Sequence, residues 1–91
     1  MKLKGTEFQI LVWKEIAKIP YGQTRSYKEL ATAIGKPNSS RAVANACGKN
    51  PYAPEIPCHR VIRSDGHIGG YSGSGGKKRK KQLLAKEGII F

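Results

Sequence analysis

A four-residue link between two short helical patterns places the strongest limit on how this chain can fold. Ser26 and Glu29 have the spacing of a capping box, and residues 26–34 carry apolar side chains at helical spacing. Gly35 ends that helix and Pro37 prevents a restart. A following helix is predicted from a polar cap at residue 38 or 39 to about residue 47. Two short helices joined by so tight a link predict a helix-turn-helix, whose second member is the recognition helix. An ordinary helical hairpin is the alternative.

The predicted recognition helix has one buried side and one open side. Its inner positions are expected to be Val43, Ala46 and Cys47. The open side carries Ser40, Arg41, Ala44 and Asn45. Small side chains on that side would let the helix backbone approach a groove closely, with Arg41 standing out near the amino end. The same alanines are also explained by helix propensity alone.

Another helix is predicted before this pair, over residues 6–18. Thr6 and Gln9 have the spacing of a capping box. The expected apolar stripe consists of Phe8, Leu11, Val12, Ile16 and Ile19. Ile10 and Trp13 lie off this stripe and imply a second buried side.

A last helix is predicted to begin near Lys77 and to turn Leu83 and Leu84 inward. The basic run at residues 77–81 crowds its first turns, where cations oppose the helix dipole at a cost of a few tenths of a kcal/mol each. A phosphate backbone nearby would reverse that cost. A solvated basic face is the alternative for most of the five.

The tetrapeptide Pro57-Cys58-His59-Arg60 sets a potential nucleophile beside a potential base. A cysteine attacks as its thiolate and has an unperturbed pKa of about 8.5, so it needs a neighbouring base or cation near neutral pH. His59 and Arg60 are side chains of that kind. The alternative is a buried structural cysteine beside a surface histidine.

The segments around this tetrapeptide are predicted to be a stiff loop and a hairpin. Two prolines stiffen residues 50–54, which lead to the cysteine. Residues 60–63 and 67–71 flank Ser64-Asp65-Gly66, a favourable hairpin turn. The predicted fold is therefore mainly α, a small winged-helix-like helix-turn-helix domain with a short two-stranded β-ribbon after the cysteine.

Charge and length limit the partners and the class of protein. Seventeen Lys and Arg against six Asp and Glu give a net charge of +11, which favours nucleic acid as a partner. Ninety-one residues fit one domain, residues 1–91. The chain has no apolar run long enough for a membrane span and no signal-peptide pattern, so an intracellular, cytoplasmic or DNA-associated protein that does not bind membranes is expected.

Three other kinds of site are disfavoured by the sequence. An intracellular setting argues against a disulfide between Cys47 and Cys58. Neither a CxxC pair nor an HxxxH pair is present, which argues against a metal site. The glycine-rich residues 69–76 lack the pattern of a phosphate-binding loop, so nucleotide binding is rejected.

Taken together, these segments closely resemble the carboxy-terminal, DNA-binding domain of the O6-alkylguanine-DNA alkyltransferases. The resemblance covers nearly the whole chain. It rests on Gly5-Thr6-Glu7-Phe8-Gln9, Val12-Trp13, Ile19-Pro20-Tyr21-Gly22, Ser26-Tyr27, Leu30-Ala31, Arg41-Ala42-Val43, Asn50-Pro51, Pro57-Cys58-His59-Arg60-Val61-Ile62, Gly66, Gly69-Gly70-Tyr71, Gly75-Gly76, Leu83-Leu84 and Glu87.

The resemblance implies a repair reaction and a set of reacting residues. Members of the family move the alkyl group of O6-alkylguanine in double-stranded DNA onto their own cysteine, here Cys58, in a single turnover without metal or cofactor. His59 would deprotonate Cys58 through a water, and Glu87 would orient and polarise His59, by analogy with a catalytic triad. Asn50 would brace the loop between the recognition helix and the cysteine.

The resemblance also implies how DNA is bound. The target nucleotide must leave the stack before the sulfur can reach it. Arg41 would fill the vacated space and Tyr27 would push the adjacent phosphate. The recognition helix would enter the minor groove, with Ser40, Ala42 and Asn45 among its DNA-facing residues. Tyr71, Ser72 and backbone groups near Val61 would form the guanine pocket.

Two departures from the family pattern stand out. Members usually carry an additional amino-terminal domain, and this chain begins almost at the Gly-Thr-x-Phe-Gln motif, although a monomer of this one domain would hold all the implied reacting residues. The loop at residues 71–76 is about two residues longer than the common form. The rival classes are an alkyltransferase-like lesion sensor, which typically has tryptophan in place of the cysteine, and a general basic DNA-binding module.

Overall fold

Four helices form most of the structure, a computed structural model that describes residues 2–71 and 75–91. The elements in chain order are α1 (Glu7–Ile16), β1 (Arg25–Ser26), α2 (Tyr27–Ala33), α3 (Ser40–Gly48), a 3-10 turn (Cys58–Arg60), β2 (Val61–Ile62) and α4 (Gly76–Lys86). The mainly α class and the α2–α3 helix-turn-helix predicted from the sequence are confirmed. Within the described ranges, no helix is both long enough and apolar enough to cross a bilayer.

Both predicted capping boxes are present. At the start of α1, the Thr6 side chain accepts a hydrogen bond from the Gln9 N–H, and the Gln9 side chain accepts one from the Thr6 N–H. Ser26 and Glu29 make the same pair of bonds at the start of α2. Each box satisfies two backbone donors that the first helical turn leaves unpaired. Local chemistry therefore fixes where these two helices begin.

Packing of α1 against α3 forms the centre of the core. The indole Nε1 of Trp13 donates to the backbone oxygen of Ala46 at 2.8 Å, and its ring meets the Tyr52 ring edge-on at 5.7 Å. The prediction of a second buried side at Trp13 is confirmed. The prediction that Leu11 belongs to the core is wrong, since it is 41% exposed. Leu11 lies 100° around the helix from Val12, on the side away from Trp13.

A two-stranded sheet is present, but the strands that pair in it are not the two that were predicted. β2 pairs in parallel with β1, in the register Arg25 to Val61 and Ser26 to Ile62, rather than with residues 67–71. The predicted hairpin is only a turn, closed by a hydrogen bond from the Arg63 N–H to the His67 oxygen. Gly69 has a φ of +76°, which an extended strand does not adopt, so the ribbon cannot continue.

The last helix, α4, lies against the 3-10 turn through one apolar residue and one lysine. Leu84 and Lys80 are both fully buried, one turn apart on the same face. The predicted start near Lys77 and the inward position of Leu84 are confirmed. The inward position of Lys80 was not predicted, and it brings the last helix to the rear of the cysteine segment.

Candidate active site

The cysteine of the tetrapeptide lies in a tight turn at the bottom of an open cleft. The Cys58 N–H donates to the Ile56 oxygen at 2.8 Å, and the Arg60 N–H donates to the Pro57 oxygen at 2.9 Å, so the backbone is folded on both sides of the residue. Cys58 is only 4% exposed, yet it lines the cleft, whose volume is about 820 Å³. Cys58 is therefore largely protected from bulk solvent and borders a space large enough for a nucleobase.

The cleft brings together most of the residues that the sequence singled out. Its walls come from α2, the recognition helix α3, and the segments before and after the glycine-rich loop. They include Tyr27, Ser40, Arg41, Asn45, Cys58 and Tyr71. Two of the expected residues do not line it: Ala42 is exposed elsewhere on α3, and Val61 is fully buried behind the cysteine turn. Ser72 lies outside the described residues.

His59 turns away from the cleft and pairs with a carboxylate at the end of α4. Its Nε2 lies 2.7 Å from Oε2 of Glu87, and both side chains are about 95% buried. Glu87 also accepts hydrogen bonds from the Nε of Arg60, at 2.9 and 3.1 Å, and from the Gly22 N–H at 2.8 Å. Arg60 in turn donates to the Ile19 oxygen at 2.9 Å. The carboxylate thus has three donor groups that hold it in one position.

These contacts determine the charge on the pair. Burial raises the pKa of Glu87, but hydrogen bonds from Arg60, Gly22 and His59 outweigh it and hold the pKa at about 2. Burial lowers the pKa of His59, and the adjacent Glu87 carboxylate opposes that effect. Near neutral pH, Glu87 is therefore ionised, and His59 must donate its Nε2 proton to it. That bond leaves Nδ1 as the acceptor nitrogen of a neutral imidazole.

The other nitrogen of this histidine is the part of the pair that can accept a proton. Nδ1 of His59 is buried and has no hydrogen-bond partner in residues 2–71 and 75–91. A buried imidazole nitrogen with a lone pair costs free energy unless a donor, such as a water, reaches it. The adjacent residue along the chain is Cys58. The arrangement is a neutral imidazole, oriented by a fixed carboxylate, one residue from the thiol along the chain.

Asn50 holds the loop that leads to the cysteine. Its Nδ2 donates to the Ile56 oxygen at 2.9 Å, and its Oδ1 accepts from the Tyr52 N–H at 2.9 Å. Asn50 is buried at the end of α3, so these bonds join the recognition helix to the residues just before Cys58. The bracing geometry expected for Asn50 is present.

Two tyrosines line the cleft as protonated phenols. Burial raises the pKa of Tyr27 to about 12, and negative charge at the neighbouring thiols adds to the effect. Burial also raises the pKa of Tyr71. The Tyr27 hydroxyl lies close against Gly69, where an added Cβ would stand 2.8 Å from the oxygen. Both hydroxyl groups can therefore donate hydrogen bonds to a bound ligand.

The second cysteine also lines the cleft, from α3. Neither Cys47 nor Cys58 forms a disulfide, and both line the cleft. Burial raises the pKa of Cys47 to about 12, which leaves it protonated and a poor nucleophile near neutral pH. No group of three or more metal-ligating His, Cys, Asp or Glu side chains occurs in the described part of the chain.

Lys80 is a residue of this region that the sequence reasoning missed. Its buried ammonium donates to the backbone oxygen of Val61 and to that of Gly70, the latter at 2.9 Å. Burial lowers its pKa to about 8, while electrostatic interaction with Cys58 and Cys47 opposes the decrease. The available signal was its spacing of four residues before Leu84, on the apolar face of α4.

The sequence and the fold both match known proteins. A family profile described as "6-O-methylguanine DNA methyltransferase, DNA binding domain" matches residues 7–89. The chain is 52% identical over 87 residues to the methylated-DNA--protein-cysteine methyltransferase of Mycolicibacterium paratuberculosis, covering 96% of this chain and 52% of that relative. It thus spans about half the length of this relative.

Two solved structures share the fold. One is Mycobacterium tuberculosis OGT in complex with DNA, with a TM-score of 0.91 and 52% identity, covering 96% of this chain and 52% of that one. The other is S. pombe Atl1 in complex with damaged DNA containing O6-carboxymethylguanine, with a TM-score of 0.82 and 34% identity, covering 96% of this chain and 81% of that one. Both similarities extend over the helix-turn-helix and the cysteine turn.

Proposed function

Since the chain belongs to the family of the 6-O-methylguanine DNA methyltransferase DNA-binding domain, we propose that it repairs O6-alkylguanine in double-stranded DNA by taking the alkyl group onto Cys58. The observation that carries this proposal is the position of Cys58. Cys58 borders an open cleft that is large enough for a nucleobase and is shared with the recognition helix, and the next residue, His59, is a buried histidine held by a carboxylate. Every proposed reacting group lies within one copy of the chain, so the proposed reaction needs no second copy, and the proposal is that the domain acts as a monomer.

The proposed reaction is a displacement at the alkyl carbon. The thiol proton of Cys58 passes through a water to Nδ1 of His59, and the resulting thiolate attacks the carbon attached to O6. A carbon–sulfur bond forms as the carbon–oxygen bond breaks, and the guanine keeps that electron pair. The guanine then takes up a proton and becomes ordinary guanine. The thioether at Cys58 is stable, so each protein molecule reacts once and needs no cofactor.

The His59–Glu87 pair supports the proton transfer in this scheme. The short bond from Nε2 to Glu87 fixes the tautomer in which Nδ1 is the acceptor, and a nearby negative charge stabilises the imidazolium that forms. Arg60 and Gly22 keep the carboxylate ionised and in place. Asn50 has a positioning role, because it fixes the loop before Cys58 through the Ile56 oxygen.

DNA would be engaged through α3 and through the side of the cleft formed by α2. Arg41 is exposed near the amino end of α3 and lines the cleft, which suits a side chain that enters the stack as the target base leaves it. Tyr27 lies on the adjacent wall, where its phenol can press on a phosphate. Ser40 and Asn45 line the same cleft, and the small, exposed Ala42 allows close approach of the helix to the groove.

The extruded base would occupy the cleft between Cys58 and the glycine-rich segment. Tyr71 lines that wall. A pocket role for backbone groups near Val61 follows from the family pattern; the Val61 side chain itself is buried, its N–H donates to the Cys58 oxygen and its oxygen accepts from Lys80. A pocket role for Ser72 is part of the proposal from the family pattern alone.

A lesion sensor that binds without reacting is the second candidate, favoured by the similarity to S. pombe Atl1. The presence of Cys58 argues for the enzyme. The two candidates separate in a burst experiment, in which the protein is mixed with excess duplex containing O6-methylguanine. The enzyme removes one methyl group from DNA per protein molecule and then stops. A sensor retards the damaged duplex and leaves the methyl content of the DNA unchanged, a result that would reject the proposal.

A further inference from the structure

A strip of exposed lysines on α4 lies beside the cleft and has no role in the reaction proposed above. α4 contains cations at every position from Lys77 to Lys81 and no acidic residue. Lys80 is buried and fixes the rotation of the helix. Given that rotation, Lys77, Lys78 and Lys81 fall on one flank, and Arg79 falls on the other. Lys77 also lines the cleft that contains Cys58 and Arg41.

The charges of this strip are not neutralised by the protein. Among the described residues, no ion pair joins Lys77, Lys78 or Lys81 to a carboxylate. Glu87, the nearest acidic residue along the chain, is occupied by His59, Arg60 and Gly22. Like charges at positions i and i+4, and cations in the first turn of a helix, are both unfavourable in the absence of an anion. The strip is therefore suited to a polyanion.

We propose that Lys77, Lys78 and Lys81 form a second DNA-binding surface, which contacts the phosphate backbone of the duplex beside the cleft. The inference deepens the proposed function and rests on DNA being the partner of the cleft. From Lys77 to Lys81 the helix rises by four residue steps, about 6 Å, while phosphates of one strand repeat every 3.4 Å or so along the duplex axis. Two or three neighbouring phosphates can therefore be contacted at once.

This surface would supply affinity without sequence preference. Lysine ammonium groups recognise phosphate as point charges and do not read base edges. Arg41 and the other α3 residues would then engage the lesion, while α4 holds the backbone next to it. Each lost phosphate contact reduces the slope of log affinity against log salt by about 0.9.

The test compares two triple variants that remove the same charge. One is Lys77→Gln with Lys78→Gln and Lys81→Gln. The control is Lys2→Gln with Lys4→Gln and Lys14→Gln, three exposed lysines that do not line the cleft. Binding to an undamaged duplex is measured between about 50 and 200 mM salt. In the α4 variant, the slope of log affinity against log salt should become smaller by about two, and the affinity near 0.1 M salt should fall by about tenfold or more. Both changes should be much smaller in the control.

A charge-conserving variant guards against a trivial loss of fold. Replacing the same three lysines by arginine should leave the slope of log affinity against log salt unchanged. Thermal unfolding should show that the glutamine variant is folded. Equal slopes in the α4 variant and the control would overturn the proposal. Because the readout uses undamaged DNA, it is separate from alkyl transfer. If the parent protein removes no methyl group, and only the α4 variant shows a reduced salt dependence of binding, the repair function is contradicted and this DNA-binding surface is supported.

Discussion

The Nε2 atom of His59 lies 2.7 Å from the Oε2 atom of Glu87, although the two residues are 28 positions apart in the chain. The contact joins the cysteine turn to the end of α4. It also directs the other imidazole nitrogen away from the carboxylate and leaves it as a proton acceptor. We therefore expect Glu87 to have two roles: it sets the tautomer of His59, and its buried charge contributes to the stability of the fold.

Replacing this carboxylate by an amide should slow alkyl transfer. In Glu87→Gln, the charge that stabilises the imidazolium is lost, so the pKa of His59 should fall further and the rate near neutral pH should drop at least about tenfold. The rate of methyl transfer from duplex DNA, measured from pH 6 to 9, checks this. Glu55→Gln, an exposed change away from the cleft, serves as the control. The same rate for Glu87→Gln and the parent at every pH would remove Glu87 from the mechanism.

The depressed pKa of Glu87 also predicts how stability depends on acid. A carboxyl with a pKa of about 2 in the folded state and near 4.5 in the unfolded state stabilises the fold above pH 4.5. That contribution, up to about 3 kcal/mol, is lost as the pH falls from 4.5 towards 2. Denaturant unfolding of the parent should show the decline, and the curve for Glu87→Gln should be flatter in this window. Parallel curves would mean that the carboxylate is not held as described.

Arg41 should matter for reaction with a stacked base and not for the chemical step. Arg41→Ala removes the side chain proposed to fill the space left in the duplex, so repair of O6-methylguanine in duplex DNA should slow by about tenfold or more. Reaction with free O6-benzylguanine should change little, because no base has to be extruded. Lys49→Ala serves as the control, because it removes the same charge from an exposed position just after α3. Equal slowing with both substrates would show that Arg41 acts on something other than base extrusion.

Lys80 should contribute to stability in a way that depends on pH. Lys80→Met leaves the Val61 and Gly70 oxygens without their donor, at a cost of about 1–3 kcal/mol each, partly offset because no ammonium is buried. The parent carries a buried amine with a pKa of about 8, against about 10.5 when unfolded. The penalty for burying its charge is fully present below pH 8 and disappears as the pH rises to 10.5.

Between pH 8 and pH 10.5, the free energy of unfolding of the parent should therefore rise relative to that of Lys80→Met. Cys47, whose pKa is about 12 in the fold, acts in the opposite direction above pH 9, but it is present in both proteins and cancels in the comparison. Chemical denaturation at pH 7.5 and at pH 10 measures the difference. A constant difference would mean that Lys80 is not buried as an ammonium.

Features set by local chemistry were predictable from the sequence, and features set by distant contacts were not. The capping boxes of Thr6 and Ser26 each need only residues within one turn, and both were found. The exposure of Leu11 depends on how Trp13 meets Ala46 on another helix, so periodicity alone placed it wrongly. The partner of β2 is a two-residue strand far earlier in the chain, which leaves almost no pattern of its own.

The candidate site divides in the same way. Cys58 and His59 stand out as neighbours in the sequence, whereas a pocket beside them was implied only by the family resemblance. The role of Glu87 as the partner of His59 was predicted only from the family resemblance, since a single acidic residue at a helix end does not by itself indicate a function. Lys80 was hidden within a basic run, where its four neighbours are exposed and it alone faces inward.

The most direct test of the account is the mass of the Cys58 peptide after the protein has been incubated with duplex DNA containing O6-methylguanine. Cys47→Ser should leave the reaction intact, and Cys58→Ser should abolish it while keeping DNA binding. The account predicts a gain of one methyl group on the peptide that contains Cys58 and none on the peptide that contains Cys47. Binding of the damaged duplex with no change in the mass of the Cys58 peptide would contradict it.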